Sequence, residues 1–185
     1  MPQPIADWTV ARVLELPDDG NRYEVVDGEL LVTPAPSLLH QRAVQALYDR
    51  IAPFIKPHPI GSALLSPADI ELDERTLVQP DLFVAPLIQG RRPRNWQEIR
   101  QLLLAVEVLS PSTARADRQV KRRRYQRHGV SEYWIVDLEA RLFERWRPAD
   151  ERPEILTERI AWQPLPDASP LQLDLLEYFA EILDE

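Results

Sequence analysis

The chain lacks cysteine altogether and carries only two lysines, five glycines and one methionine. Without cysteine it can form neither disulfides nor thiolate metal sites, which fits a cytoplasmic protein. The glycines form nothing like a phosphate-cradling loop, so a hydrolase of small phosphorylated substrates is a remote reading. No apolar run approaches the length of a membrane span, and the opening MPQPIADW has no basic region followed by an apolar one. Neither a membrane segment nor a secretory signal is therefore expected. Positive charge is in deficit as well. A formal net charge of -8 argues against sequence-independent coating of nucleic acid, while leaving room for a local basic patch.

What remains is a chain of 185 residues with no visible repeat, long enough for one domain, 1–185, with a full core. Thr9 can cap a short helix reaching Leu16. RYEVVDGELLV reads as an amino-terminal hairpin turning at Asp27 and Gly28, with Glu29 facing solvent. Ser37 can cap a second helix whose line Val44, Leu47, Ile51 also holds His40 and Ala43, and Pro53 should end or kink it. Residues 62–72 and 78–85 read as an antiparallel pair of strands, with Pro80 placing Asp81 near an opening in the sheet. Residues 89–100 suit an exposed loop with a short helix, and residues 148–170 irregular structure with one strand around 156–162. A closing helix from Asp174 to Leu183 puts Leu175, Leu176, Phe179, Ile182 and Leu183 on one stripe.

The chemistry concentrates in LLLAVEVLSPSTARADRQVKRRRYQRHGVSEYWIVD, residues 102–137. Leu102 to Leu109 is an aliphatic run of the kind covered on both faces, interrupted by Glu107. A carboxylate there needs a cation, a donor or a proton. A turn follows over 110–113, then a helix from about Asp117 to His128 stopped by Gly129, with Asp117, Lys121, Arg124, Tyr125 and His128 on one face and Tyr125 packing inward. Tyr133 to Asp137 is again a strand, so the unit is strand, helix, parallel strand. If the Asp81 strand lies beside the Glu107 strand, two carboxylates about 4.8 Å apart can share a hard cation, Mg2+ or Mn2+, with Lys121 assisting at a phosphate.

RYEVVDGEL, the helix opening with His40, VQPDLFV, LLLAVEVLSPST, DRQVKRRRYQRHGVSEYWIVD and SPLQLDLLEYF together resemble the Uma-two family of restriction-endonuclease-like proteins, within the PD-(D/E)xK nuclease superfamily. The resemblance implies an α/β (α+β) restriction-endonuclease-like fold with a mixed central sheet flanked by helices. It implies metal-dependent cleavage of DNA, a site of Asp81, Glu107 and a lysine, and a homodimer so that both strands are cut. The superfamily lysine stands two residues after the glutamate, where this chain has Leu109, and the resemblance to the family implies that the matching lysine has moved to the following helix, at Lys121. Glu24, in the matching RYE, becomes a further acid near the metal, and His40 and Tyr125 have supporting parts. Arg115, Arg118, Arg122, Arg123 and Arg127 face little opposing charge in the sequence and suit phosphate contacts.

Ordinary structural roles stand beside each of these. Asp81 could cap a turn, Glu107 could form a buried ion pair with Lys121 or Arg124, and Lys121 could be a solvated base on a charged helix face. The competing function is a catalytically silent nuclease fold that binds nucleic acid or protein, and the displaced lysine and acidic charge lean that way.

Overall fold

The hairpin at Asp27 and Gly28 forms as the turn chemistry dictates. The computed structural model describes residues 7–167 and 169–184. Residues 1–6, most of the opening MPQPIADW in which no secretory signal is expected, lie outside them. β1 (Arg22–Val26) pairs antiparallel with β2 (Glu29–Thr33), and the connecting Asp27 and Gly28 adopt φ of 52° and 85°, the left-handed pair of a type I′ turn. Glu29 is exposed. Ahead of the hairpin, Thr9 caps α1 (Val10–Leu14), which ends short of Leu16.

α2 (Leu38–Ile55) begins where Ser37 Oγ accepts from the His40 amide and buries Ala43, Val44, Leu47 and Ile51. It does not end at Pro53. The missing amide falls in the last turn, where it costs a single ladder bond, and the helix continues to Ile55.

Residues 62–72, expected as one strand, are divided between two sheets. β3 (Gly61–Leu65) is followed by β4 (Ile70–Asp73), β5 (Thr76–Val78) and β6 (Leu82–Pro86), with β3 pairing β6 and β4 pairing β5. The antiparallel ribbon is interrupted between the Leu65↔Leu82 and Ile70↔Val78 pairs. Pro67 and Pro80 fall in that gap and have no amide to donate. Ser66 Oγ donates instead to the Pro80 and Gln79 carbonyls at 2.8 and 3.1 Å. Asp81 therefore stands where the ribbon passes from one sheet to the other.

β7 (Leu104–Val108) and β8 (Glu132–Asp137) run parallel, joined by a helical crossover as anticipated. That crossover opens with a π turn, Ala116–Lys121, before α3 (Arg122–Arg127), rather than as a regular α-helix from Asp117. β9 (Leu142–Trp146), β10 (Glu154–Leu156), β11 (Arg159–Trp162) and β12 (Leu171–Asp174) precede α4 (Leu175–Leu183). The strand expected over 156–162 is thus split between β10 and β11, and β12 was not anticipated.

The six-stranded sheet has the order β10-β9-β8-β7-β6-β3 and is mixed. A four-stranded sheet, β2-β1-β5-β4, is antiparallel, and β11 pairs with β12. Strand alternation separates two cores. Leu82, Val84, Val106, Trp134 and Val136 pack with α2 and α4, whereas Phe83, Ala85, Ala105, Tyr133 and Ile135 pack with Tyr125 of α3 and with Val26, Ile70 and Val78 of the smaller sheet. On α4 the inward stripe is Leu175, Tyr178, Phe179 and Ile182, and Leu176, one residue and 100° around the helix, is 63% exposed. No helix among the described residues is long and apolar enough to cross a membrane.

Candidate active site

Asp81 precedes β6 and lies across from β7, whose Val108 amide donates to its Oδ2 at 2.9 Å. Oδ2 also meets His40 Nε2 at 3.0 Å, and Oδ1 accepts from Arg22 Nη1 at 2.8 Å. Burial works against ionisation here, but the hydrogen bonds and charges of His40 and Arg22 hold the carboxyl down to about 2. A carboxylate facing His40 Nε2 fixes a proton on that nitrogen, and Nδ1 is buried with no hydrogen-bond partner among the described residues.

Glu107 sits on β7, on the neighbouring strand to Asp81, and is 1% exposed. The sequence placed these two acids side by side, and the antiparallel β6–β7 pairing does so. Lys121 Nζ donates to Glu107 Oε1 at 3.0 Å and the Tyr125 hydroxyl donates to the same oxygen at 3.3 Å, while Oε2 accepts from neither. Burial pushes Glu107 well above the usual carboxyl range despite the pull of Lys121, and Asp117, Asp81 and Glu24 push the same way.

Lys121 is not a solvated base. It is 1% exposed, with Nζ 2.8 Å from Glu24 Oε2, 3.0 Å from Glu107 and 3.3 Å from Asp117 Oδ1. Burial opposes the charge, yet these three carboxylates hold the amine protonated well above its ordinary value. Glu24 is itself fully buried, its Oε1 accepting from the Gln79 amide at 2.7 Å. Glu24 Oε2 and Asp117 Oδ1 contact the lysine without hydrogen-bond alignment and accept no hydrogen bond among the described residues, and Glu24 Oε2 also lies 4.0 Å from Arg22 Nε.

Two members of this cluster were not recognised as such in the sequence. Arg22 lies two residues before Glu24, hence on the same face of β1, and its signal was the strand period. Asp117 lies four before Lys121, and its place on the inward face was legible although its role was not.

A cleft of about 1140 Å3 opens over this cluster. Arg22, His40, Gln79 and Asp81 line it, with walls from residues 33–37, 65–67 and 109–114 and from Arg118, Asp137 and Glu139. Glu24, Glu107, Asp117, Lys121 and Tyr125 are not part of its lining. The predicted quartet is therefore brought together but split, with Asp81 at the open cleft and the other three sealed in the protein.

Arg118 and Arg127 differ from expectation, since opposing charge reaches them from other elements. Arg118 bonds Asp137 and Glu144 at 2.8 and 2.6 Å, and Arg122 lies over the Trp146 ring, 4.5 Å from its centroid. Arg127 approaches Asp27, and Arg124 pairs with Asp27 and Asp73. Arg115 is exposed.

No group of three or more acidic or histidine side chains among the described residues is arranged to hold a metal ion as it stands. The donor chemistry nevertheless suits one. Asp81, Glu107, Glu24 and Asp117 gather four buried carboxyl groups around two permanent cations, Arg22 and Lys121, and their oxygens are hard donors.

Among solved structures, the crystal structure of a "putative nuclease belonging to DUF820" from Anabaena variabilis ATCC 29413 superposes with a TM-score of 0.71 over 95% of this chain and 99% of that one, at 20% identity. The mixed sheet, its parallel β7–β8 crossover and the flanking helices are thus those of a restriction-endonuclease-like fold. No curated protein matches. The family model Uma2, described as "Putative restriction endonuclease", matches residues 10–177, nearly the whole chain, and the chain belongs to that family.

Proposed function

We propose that the chain is a divalent-metal-dependent endonuclease that hydrolyses phosphodiester bonds in DNA. The observation that carries this reading is the placement of Asp81, just ahead of β6, beside Glu107 of the neighbouring β7, next to a cleft and in a cluster of four buried acids. These two carboxylates are the residues that would hold Mg2+ or Mn2+, and a metal bound there would polarise the phosphate and lower the pKa of an attacking water. Lys121, sealed away from the cleft, acts as a positioning residue that orients Glu107 and Glu24 and opposes the effect of burial on Glu107. Tyr125 adds a second donor to Glu107, and His40 fixes the Asp81 rotamer through Nε2. Arg118 and the exposed Arg115 lie beside or near the 109–114 wall, where a phosphate backbone would pass. A cytoplasmic homodimer, with two such sites, would cut both strands, and sedimentation velocity tests the association.

The deciding experiment is nicking of supercoiled plasmid at low salt with Mn2+ or Mg2+ against EDTA, beside Asp81→Ala and Glu107→Ala. Metal-dependent nicking lost in both variants is expected, and cleavage unchanged in either removes that residue from the mechanism. A second reading, a silent nuclease fold that binds nucleic acid or protein, is favoured by one observation: both acids are already engaged by Arg22, His40, Lys121 and Tyr125. A wild type that does not nick, in crystals that bind no Mn2+ between Asp81 and Glu107, would establish it.

A further inference from the structure

Arg22 and Lys121 both neutralise the acidic cluster, but they do so differently. Lys121 is enclosed by three carboxylates and has no face on the cleft. Arg22 lines the cleft with a side chain 19% exposed. Among the described residues its side chain makes one hydrogen bond, from Nη1 to Asp81, although a guanidinium carries five donors. Its Nε is buried and makes no hydrogen bond among the described residues, its nearest charge being Glu24 Oε2 at 4.0 Å. Such a group is held by charge more than by geometry, and keeps most of a fork suited to two phosphate oxygens.

We propose that Arg22 is the exchangeable cation of the site: it neutralises Asp81 in the metal-free protein, cedes that carboxylate to the metal, and turns its guanidinium into the cleft to bind the substrate phosphate. This assigns the phosphate-facing positive charge to Arg22 and leaves Lys121 as a fixed internal counterion. It rests on the metal-dependent nuclease reading above. Two consequences of opposite sign follow. Removing the Arg22 charge frees Asp81 for a metal, and it also deprives the cleft of a phosphate ligand.

The test measures Mn2+ affinity by electron paramagnetic resonance of the free ion, and affinity for a short DNA duplex in Ca2+, for wild type, Arg22→Gln, Arg22→Lys and Asp81→Ala. Arg22→Gln should bind Mn2+ about tenfold more tightly, the scale of one partly screened charge contact, and the duplex about tenfold more weakly. Arg22→Lys keeps the charge without the fork, so it should leave Mn2+ affinity near wild type while still weakening the duplex. A merely structural role would weaken both affinities together, and that result overturns the proposal. So does wild-type Mn2+ binding that needs Asp81 but is unchanged in Arg22→Gln, an outcome that leaves the nuclease reading intact. Absence of Mn2+ binding in every protein overturns both. Should Arg22→Gln fail to fold, duplex binding by Arg22→Lys equal to wild type overturns the phosphate role by itself.

Discussion

Removing the Lys121 amine would leave Glu24, Glu107 and Asp117 facing one another where water does not reach. Stripping one side of a buried ion pair costs about 3–5 kcal/mol, because the uncompensated charge keeps its full desolvation penalty. Lys121→Met should therefore lose that much stability in urea unfolding at neutral pH, and Glu107→Gln added to it should restore part of the loss. Asp81 gives a pH signature of its own. Its folded pKa, about 2, lies below the usual 3.8, so its stabilisation is complete above the unfolded value and is lost as pH falls through the folded one. About 2 kcal/mol should disappear between about pH 4 and pH 2 in the wild type, and Asp81→Asn should lack that slope when unfolding is followed across the acid range. At this scale Asp81 and Glu107 were legible as buried neighbours, because an acid in an apolar run, or beside a strand-breaking proline, is conspicuous. The Glu107–Lys121 ion pair and the shared face of Asp117 and Lys121 were legible as well, but the contact from Glu24 was not, because it comes from β1 and a contact across such a separation leaves no local pattern.

Helix α4 shows the same contrast for an element. Its apolar residues suggested a stripe including Leu176, yet 100° of rotation carries that side chain to 63% exposure while Phe179 packs against Phe143 and Tyr178. Leu176→Glu should change stability by less than about 0.5 kcal/mol, whereas Phe179→Ala should cost about 3–5 kcal/mol, compared by thermal or denaturant unfolding. Strands were harder to delimit. The ribbon from Gly61 to Pro86 reads as two long strands, because hydrophobic alternation continues on both sides of the prolines. Only the second sheet, β2-β1-β5-β4, explains why its tip turns away and leaves Asp81 outside the ladder.

For the whole molecule, charge sets the conditions under which the proposed activity would operate. With a net charge of -8 and Asp81, Asp137 and Glu139 in the cleft wall, the metal-free protein repels a phosphate backbone. Binding of a DNA duplex, followed by fluorescence anisotropy, should be weak in EDTA and should strengthen as Ca2+ or Mg2+ is raised at constant ionic strength. Added monovalent salt should weaken the divalent-dependent complex through counterion competition. Binding that is tight in EDTA and indifferent to divalent ions would instead fit a module reading DNA without a metal.

The sequence by itself determined the local elements and the chemistry that they carry: the Asp27–Gly28 hairpin, the Ser37 cap of α2, the β7–helix–β8 crossover and the carboxylates at 81 and 107. These follow from turn conformations, capping and side-chain period, which operate over a few residues. The tertiary structure alone decided that Arg22 faces the cleft while Lys121 is sealed, and that Arg118 is claimed by Asp137 and Glu144. The cost of burying a charge depends on every element packed around it, so the role of each cation is fixed only when the sheets have closed over the site.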